Sequence, residues 1–217
     1  MDDIDLIRPC VDAEKATEVS EYFQDKGLVE TVCYLWNSIW TEAEKESAEK
    51  AVKEKDTESK YYKLLFERFK MKEHYSQTDS HKSFVKKAYN RMKEFVPNMT
   101  EGDAEKHDKT KYNFAQAVGY TVRWVHNIDN DTWKDALQDH YKYESHHPQF
   151  HDPKKMSRAT LEESLVDMVA SRWERNLKGK EDATNSDLVD FDPIYLSRYQ
   201  DGDRQQVDEL INTIKNS

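Results

Sequence analysis

The segment LEESLVDMVASRWERNL, Leu161–Leu177, has the spacing of an amphipathic helix and one residue that breaks its pattern. Thr160 and Glu163 read as a capping box that starts it. Asp167 then interrupts the apolar window LVDMVA, with Leu165, Val166, Met168, Val169 and Ala170 around it. A carboxylate on an apolar helix face needs a cation, several hydrogen-bond donors or a metal. A buried ion pair or a surface-facing aspartate is the equal alternative from this residue alone.

The composition extends the helical reading to the whole chain. Only five Gly and five Pro occur in 217 residues, too few for a turn-rich β fold. The hydrophobic fraction of 36% and mean hydropathy of −1.04 are low, but five Trp, twelve Tyr and eight Phe need a core. The expected class is all-α: a helical bundle with an N-terminal helical extension.

Along the chain, LVETVCYLWNSIW places Leu28, Val32, Leu35, Trp36 and Ile39 on one helical face. The next stretch, TEAEKESAEKAVKEKDTESK, is almost wholly charged and reads as an exposed helix or arm held by i,i+4 pairs. YYKLLFERFKMKEHY suggests a further helix. Ser80 is placed to cap a separate helix running toward Pro97, with His81 at the inner edge of the stripe Val85, Ala88, Met92 and Phe95. Thr100 and Asp103 resemble a capping pair for a helix running through HDKTKYNFAQAVGYTVRWV. Asn130 or Asp131 starts a helix carrying Trp133, Ala136, Leu137 and His140. Residues 179–193 read as a loop, followed by a final helix over about 203–215. The organisation is an N-terminal extension over 1–78, a core over 79–178, and a C-terminal loop and capping helix over 179–217.

A formal net charge of −10 argues against extended nucleic acid or an anionic membrane as partner, but not against a small anion beside a metal. Cys10 and Cys33 are too few for a disulfide framework or a zinc knuckle. The N-terminal MDDIDLIRPC lacks the apolar core of a signal peptide, and no apolar run approaches transmembrane length, so the expected compartment is cytoplasmic. A homo-oligomer is left open.

Histidine is concentrated rather than scattered. YESHHPQFHD, Tyr143–Asp152, holds three of the eight histidines, and Pro148 biases His147 away from helical geometry. His107 and Asp108 sit together in KHDKTK, His81 lies upstream, and His140, His146 and His147 fall between that pair and Asp167. Imidazole and carboxylate ligands suit first-row divalent metals: manganese, iron, cobalt, nickel or zinc. His74, His126 and His151 lack such context and read as surface or supporting residues.

The order H…HD…D, carried by His81, His107–Asp108 and Asp167, resembles the HD-domain superfamily of metal-dependent phosphohydrolases over about residues 79–178. More narrowly, HKSFV, HDKTK, WKDALQDH and HHPQF are similar to a little-characterised HD-related family of bacteria and phages with HDxSK and HHPE motifs. Thr110 replaces the Ser of that pattern and Gln149 the Glu, which removes a carboxylate.

The resemblance implies an HD-like bundle with a first metal on His81, His107, Asp108 and Asp167. It implies a second on His140 and one of His146 or His147, bridged by Asp108, so one or two ions are expected. It further implies a phosphohydrolase acting on a nucleotide or other small phosphorylated metabolite. Asp108 would orient the metal-activated water, and Lys111, one helical turn after His107, would bind phosphate. Arg123 is a candidate for substrate binding, with Tyr112 and Tyr120 on the same stretch. The ligand order also matches HD-type di-iron oxygenases, which cleave carbon bonds with O2. A non-catalytic helical module with a structural metal is the third reading.

Overall fold

The computed structural model describes residues 2–151 and 155–217, and among them every regular element is helical, as the composition implies. The longer helices are α1 (Asp3–Ile7), α2 (Ala16–Tyr34), α3 (Glu42–Lys53), α4 (Met71–Met92), α5 (Glu101–Lys106), α6 (Phe114–Tyr120), α7 (Asp131–Tyr143) and α8 (Arg158–Arg175). Two short turns, α9 (Asn185–Leu188) and α10 (Pro193–Leu196), precede α11 (Asp201–Lys215). No helix among the described residues is long and apolar enough to cross a membrane.

The chain forms two compact units, each built from separated segments. The first joins Met1–Ser76 to Lys111–Gln138; the second joins Gln77–Thr110 to Asp139–Ser217. Residues 111–138 therefore group with the N-terminal segment, although chain order places them between the metal-binding motifs.

The first unit packs Leu35, Leu64, Leu65, Phe69, Met71 and Val118 into its core. Fully burying each such side chain contributes ~1.5–3 kcal/mol. The charged stretch after Trp40 is a helix with an inner face. Thr41 and Glu44 close a capping box at the start of α3, while Ala48, Ala51 and Val52 point inward. Its Glu42–Lys45 and Glu49–Lys53 pairs lie outside, where ion pairs add ~0–1 kcal/mol each. Both cysteines are buried free thiols.

Gly119 permits the closest helix approach in this unit. A Cβ there would lie 2.3 Å from Ala136 Cβ and 2.6 Å from the Thr132 carbonyl oxygen, so α6 and α7 meet almost backbone to backbone. Gly119→Ala is expected to destabilise the protein by at least ~1–3 kcal/mol, the usual cost of overpacking. A thermal melt checks this; an unchanged midpoint would contradict the packing.

The second unit buries Val85, Ala88, Met92, Leu161, Leu165, Val169, Leu188, Val207 and Ile214 in one core. The C-terminal segment thus supplies core residues to the same cluster as α8. Glu162 is fully buried there and accepts hydrogen bonds from Asn98 N at 2.7 Å, Asn98 Nδ2 at 2.8 Å, Met99 N at 3.1 Å and Arg158 Nε at 2.9 Å.

Several boundaries differ from the sequence reading. Ser80 is not a cap: α4 runs unbroken from Met71, because nothing in that stretch interrupts helix, and the Ser80 hydroxyl donates to Glu174 Oε1 at 2.5 Å. The cap of α8 is Ser157, whose side chain accepts from Thr160 N; Thr160 and Glu163 lie inside the helix. Asn130 caps α7 by accepting from Trp133 N at 3.1 Å. Thr100 and Asp103 do form the expected box, but α5 stops at Lys106 instead of continuing through HDKTK.

Candidate metal centre

The break after Lys106 builds the centre. His107 ends α5 with extended backbone, φ −49° and ψ 136°, and Asp108 enters the left-handed region at φ 56°. That conformation is uncommon outside Gly, and Asp and Asn tolerate it better than most residues. This reversal of the chain turns the two neighbouring side chains toward a common point.

Asp108 faces histidines on both sides. Its Oδ2 lies 3.7 Å from His81 Nε2 and 3.6 Å from His107 Nε2. Its Oδ1 lies 3.3 Å from His140 Nε2 and 3.8 Å from His146 Nε2. Asp167 reaches in from α8, with Oδ1 at 3.0 Å from His81 Nε2 and 3.6 Å from His107 Nε2. His147 Nε2 is 2.9 Å from His140 Nε2. Two ring nitrogens that close compete for one proton, whereas a shared cation would satisfy both lone pairs.

Three overlapping groups are close enough to hold an ion, their ligand atoms lying within 4.8 Å of one another. They are Asp108 with His140, His146 and His147; His81 with His107 and Asp108; and His107 with His146 and Asp167. Buried His and Asp groups that can hold a metal ion are therefore present. His107 Nε2 and His146 Nε2 are buried with no hydrogen-bond partner among the described residues. Orphaned imidazole nitrogens are costly, and their convergence on two carboxylates is what a metal site requires.

The outward ring nitrogens are tied down. His81 Nδ1 pairs with Glu174 Oε2 at 3.3 Å, and His107 Nδ1 with Glu163 Oε1 at 3.1 Å. His140 Nδ1 hydrogen bonds the Thr110 hydroxyl at 2.9 Å, while Thr110 N donates to Glu144 Oε1 at 2.9 Å. His146 Nδ1 lies 3.5 Å from Glu163 Oε1. Carboxylates behind metal-facing histidines fix tautomer and ring orientation. Glu163 and Glu174 were missed as site residues. Their signal is register: they stand four residues before and seven after Asp167, on the same face of α8.

The four positions of the H…HD…D pattern, His81, His107, Asp108 and Asp167, come together with His140 and His146. His147 lies beside them, next to His140. Gln149 is exposed. His151 Nε2 donates to the Ser145 carbonyl at 2.7 Å, closing its own turn, and Asp152 lies outside the described residues. His74 is buried and bonds the Lys111 carbonyl at 3.0 Å; His126 bonds the Phe69 carbonyl at 2.8 Å.

Lys111 and Arg123 belong to the first unit. The helical register that put Lys111 on the His107 face does not exist, because the backbone turns at Asp108 and continues as a tight turn over Lys109–Tyr112. The Lys111 ammonium stands over the Tyr120 ring at 5.2 Å. Arg123 donates to Asn127 Oδ1 at 3.1 Å and lies over Trp124. Tyr112 stacks with Tyr75, and Tyr120 meets Trp133 edge-on.

Charge in the centre is divided. Burial disfavours imidazolium at His107, but the charge of Asp108 and the carboxylates of Asp167 and Glu163 outweigh it and raise the pKa to about 10. At His81, burial is likewise overcome by Asp167 and Glu174, and the pKa rises. Asp167 is held well below the usual range: burial opposes this, and the neighbouring His107 and His81 imidazoles prevail. His146 is pushed well below its ordinary value by burial and then by His107 and His147.

Metal ligands must be neutral imidazoles, so uptake has to displace the protons of His81 and His107. Binding a divalent ion near pH 7 is expected to release at least about one proton per chain, that of His107, and affinity should fall as pH is lowered. Without metal, the raised pKa of His107 stabilises the fold fully below the unfolded value of ~6.5, and this fades toward the folded value of about 10. Calorimetry in two buffers of different ionisation enthalpy counts the protons; metal binding without proton release would contradict the assignment.

The Family of unknown function (DUF5662) matches residues 70–214, about two thirds of the chain. The chain belongs to this family. The matched segment contains every residue of the metal-facing cluster, from His81 to Asp167, together with the C-terminal helix. No curated protein and no solved structure matches the chain.

Proposed function

We propose that the chain is a metal-dependent phosphohydrolase of HD-domain type, acting on a nucleotide or other small phosphorylated metabolite. The observation that carries this reading is the Asp108 carboxylate, with His81 and His107 facing Oδ2 and His140 and His146 facing Oδ1. That arrangement suits a carboxylate shared by two ions, the first also held by Asp167 and the second by His147. Bound divalent ions would lower the pKa of a water and polarise the phosphoryl oxygen. Manganese, iron, cobalt, nickel or zinc fits the nitrogen and oxygen donors.

The chain's own residues supply the rest. Glu163, Glu174 and Thr110 hold the imidazoles in the tautomer that presents Nε2 inward. The histidines on both sides of Asp108 are sealed from solvent, whereas the Asp167 side chain retains 14% exposure. Substrate would therefore approach along α8 at Asp167. Asp108, fixed by its turn, would orient the attacking water.

The same ligand set supports a second reading, an HD-type di-iron oxygenase, because six nitrogen and oxygen ligands around one shared carboxylate also suit iron. The discriminating experiment loads purified protein with manganese, cobalt, nickel or iron and screens phosphate monoesters for inorganic phosphate release, in air and under argon. Release that is independent of oxygen supports the hydrolase. Oxygen consumption by the iron form, with no phosphate released from any ester, would overturn it.

A further inference from the structure

Beside the centre, a cleft of about 230 Å³ is floored by one face of α8, where Asp167, Ser171 and Arg175 follow at intervals of four. Phe191, Tyr195 and Arg198 form another wall. Asp167 belongs to both the cleft and the metal-facing cluster, so whatever occupies the cleft meets the centre at that carboxylate.

The polar groups of the cleft differ in how far they are committed. Arg172 donates to the Asp187 carbonyl at 2.6 Å and to Asp190 Oδ2 at 3.3 Å. Asp192 accepts from Ile194 N at 3.0 Å as the cap of α10, so its charge is engaged. Arg198 is half-buried: its Nε has no hydrogen-bond partner among the described residues, while its guanidinium lies 5.5 Å over the Tyr199 ring and hydrogen bonds the Tyr199 side chain. As a cation lining the cleft, the Arg198 guanidinium would pair with a ligand oxyanion through charge-assisted bonds. Next to it, Tyr195 remains 58% exposed, an aromatic face at the rim that a bound ring would cover.

We propose that this cleft is the substrate pocket, and that its ligand is a phosphate monoester carrying an aromatic or heterocyclic ring. Arg198 binds the phosphate oxygens, and Tyr195 and Phe191 cover the ring. The volume equals about eight waters at ~30 Å³ each, enough for a small monoester and too little for an extended polymer. This specificity rests on the hydrolase reading for its chemistry, but binding can be measured without turnover.

Phenyl phosphate and inorganic phosphate are the probes, titrated by calorimetry into metal-free and manganese-loaded protein. Arg198→Ala is expected to weaken phenyl phosphate binding at least tenfold in both states while manganese content stays unchanged. Arg198→Lys, which keeps the charge and most of the packing, should fall between, with an unaltered melting midpoint. Tyr195→Ala should weaken phenyl phosphate about fivefold and leave inorganic phosphate unaffected. The pocket is overturned if wild-type protein binds neither probe, or if Arg198→Ala and Arg198→Lys both bind as wild type does. Absence of phosphate release in the face of Arg198-dependent binding would refute the hydrolase reading alone. Turnover that is insensitive to Arg198 and Tyr195 would refute the pocket alone.

Discussion

Asp108→Asn is expected to lower metal content from about two ions per chain to at most one, and to reduce turnover more than a hundredfold. The argument is geometric. Each carboxylate oxygen faces a different pair of histidines, at 3.6–3.7 Å on one side and 3.3–3.8 Å on the other. An amide is neutral and keeps only one oxygen acceptor, so one side loses its oxygen ligand and the other loses the negative charge of its ligand. Asparagine still tolerates the left-handed backbone at φ 56°, which separates loss of a ligand from loss of the turn. Outer-sphere partners of metal ligands are typically worth ~10–100-fold, and a shared inner ligand should exceed that. Elemental analysis with a phosphate-release assay checks both numbers; two retained ions would show that Asp108 does not serve both sides.

Glu162→Ala should measurably destabilise the second unit. The carboxylate is fully buried and receives two backbone N–H groups, an amide and the Arg158 guanidinium. Truncation strands the Met99 N–H in the interior, whereas Asn98 and Arg158 reach solvent, so the cost is that of a buried unsatisfied donor, ~1–3 kcal/mol. For a chain of this size, ~2–4 °C is lost per kcal/mol, so the midpoint should fall by roughly 2–12 °C. Glu162→Gln keeps one acceptor and should fall less. A shift below about 2 °C for the alanine variant would contradict this role.

The cluster was legible in the sequence because its members are chemically conspicuous. Asp167 stood out as a charge in an apolar window, and His107–Asp108 gained meaning from His81 and the later histidines. The conformation that brings them together was not legible. Nothing in KHDKTK distinguishes a helix that continues from one that ends at Lys106 with a left-handed aspartate, since lysine, threonine and aspartate are acceptable in either. The register assigned to Lys111 failed for that reason. Glu163 illustrates another limit: Thr160 and Glu163 have capping-box spacing, yet Ser157 wins the cap and frees Glu163 to support His107. The helical class followed from low Gly and Pro content. The return of residues 111–138 to the N-terminal unit is a long-range pairing that local periodicity does not encode. Arg198 lay in a segment read as loop and cap, with no motif around it.

The most direct test is the metal content of the purified protein, measured by elemental analysis after dialysis against metal-free buffer and again after reloading. About two first-row transition-metal ions per chain are expected, falling to at most one in Asp108→Asn and with the first site lost in His107→Ala. A wild-type protein that takes up no metal, or whose occupancy is unchanged in both variants, would contradict the assignment of this cluster as a metal centre.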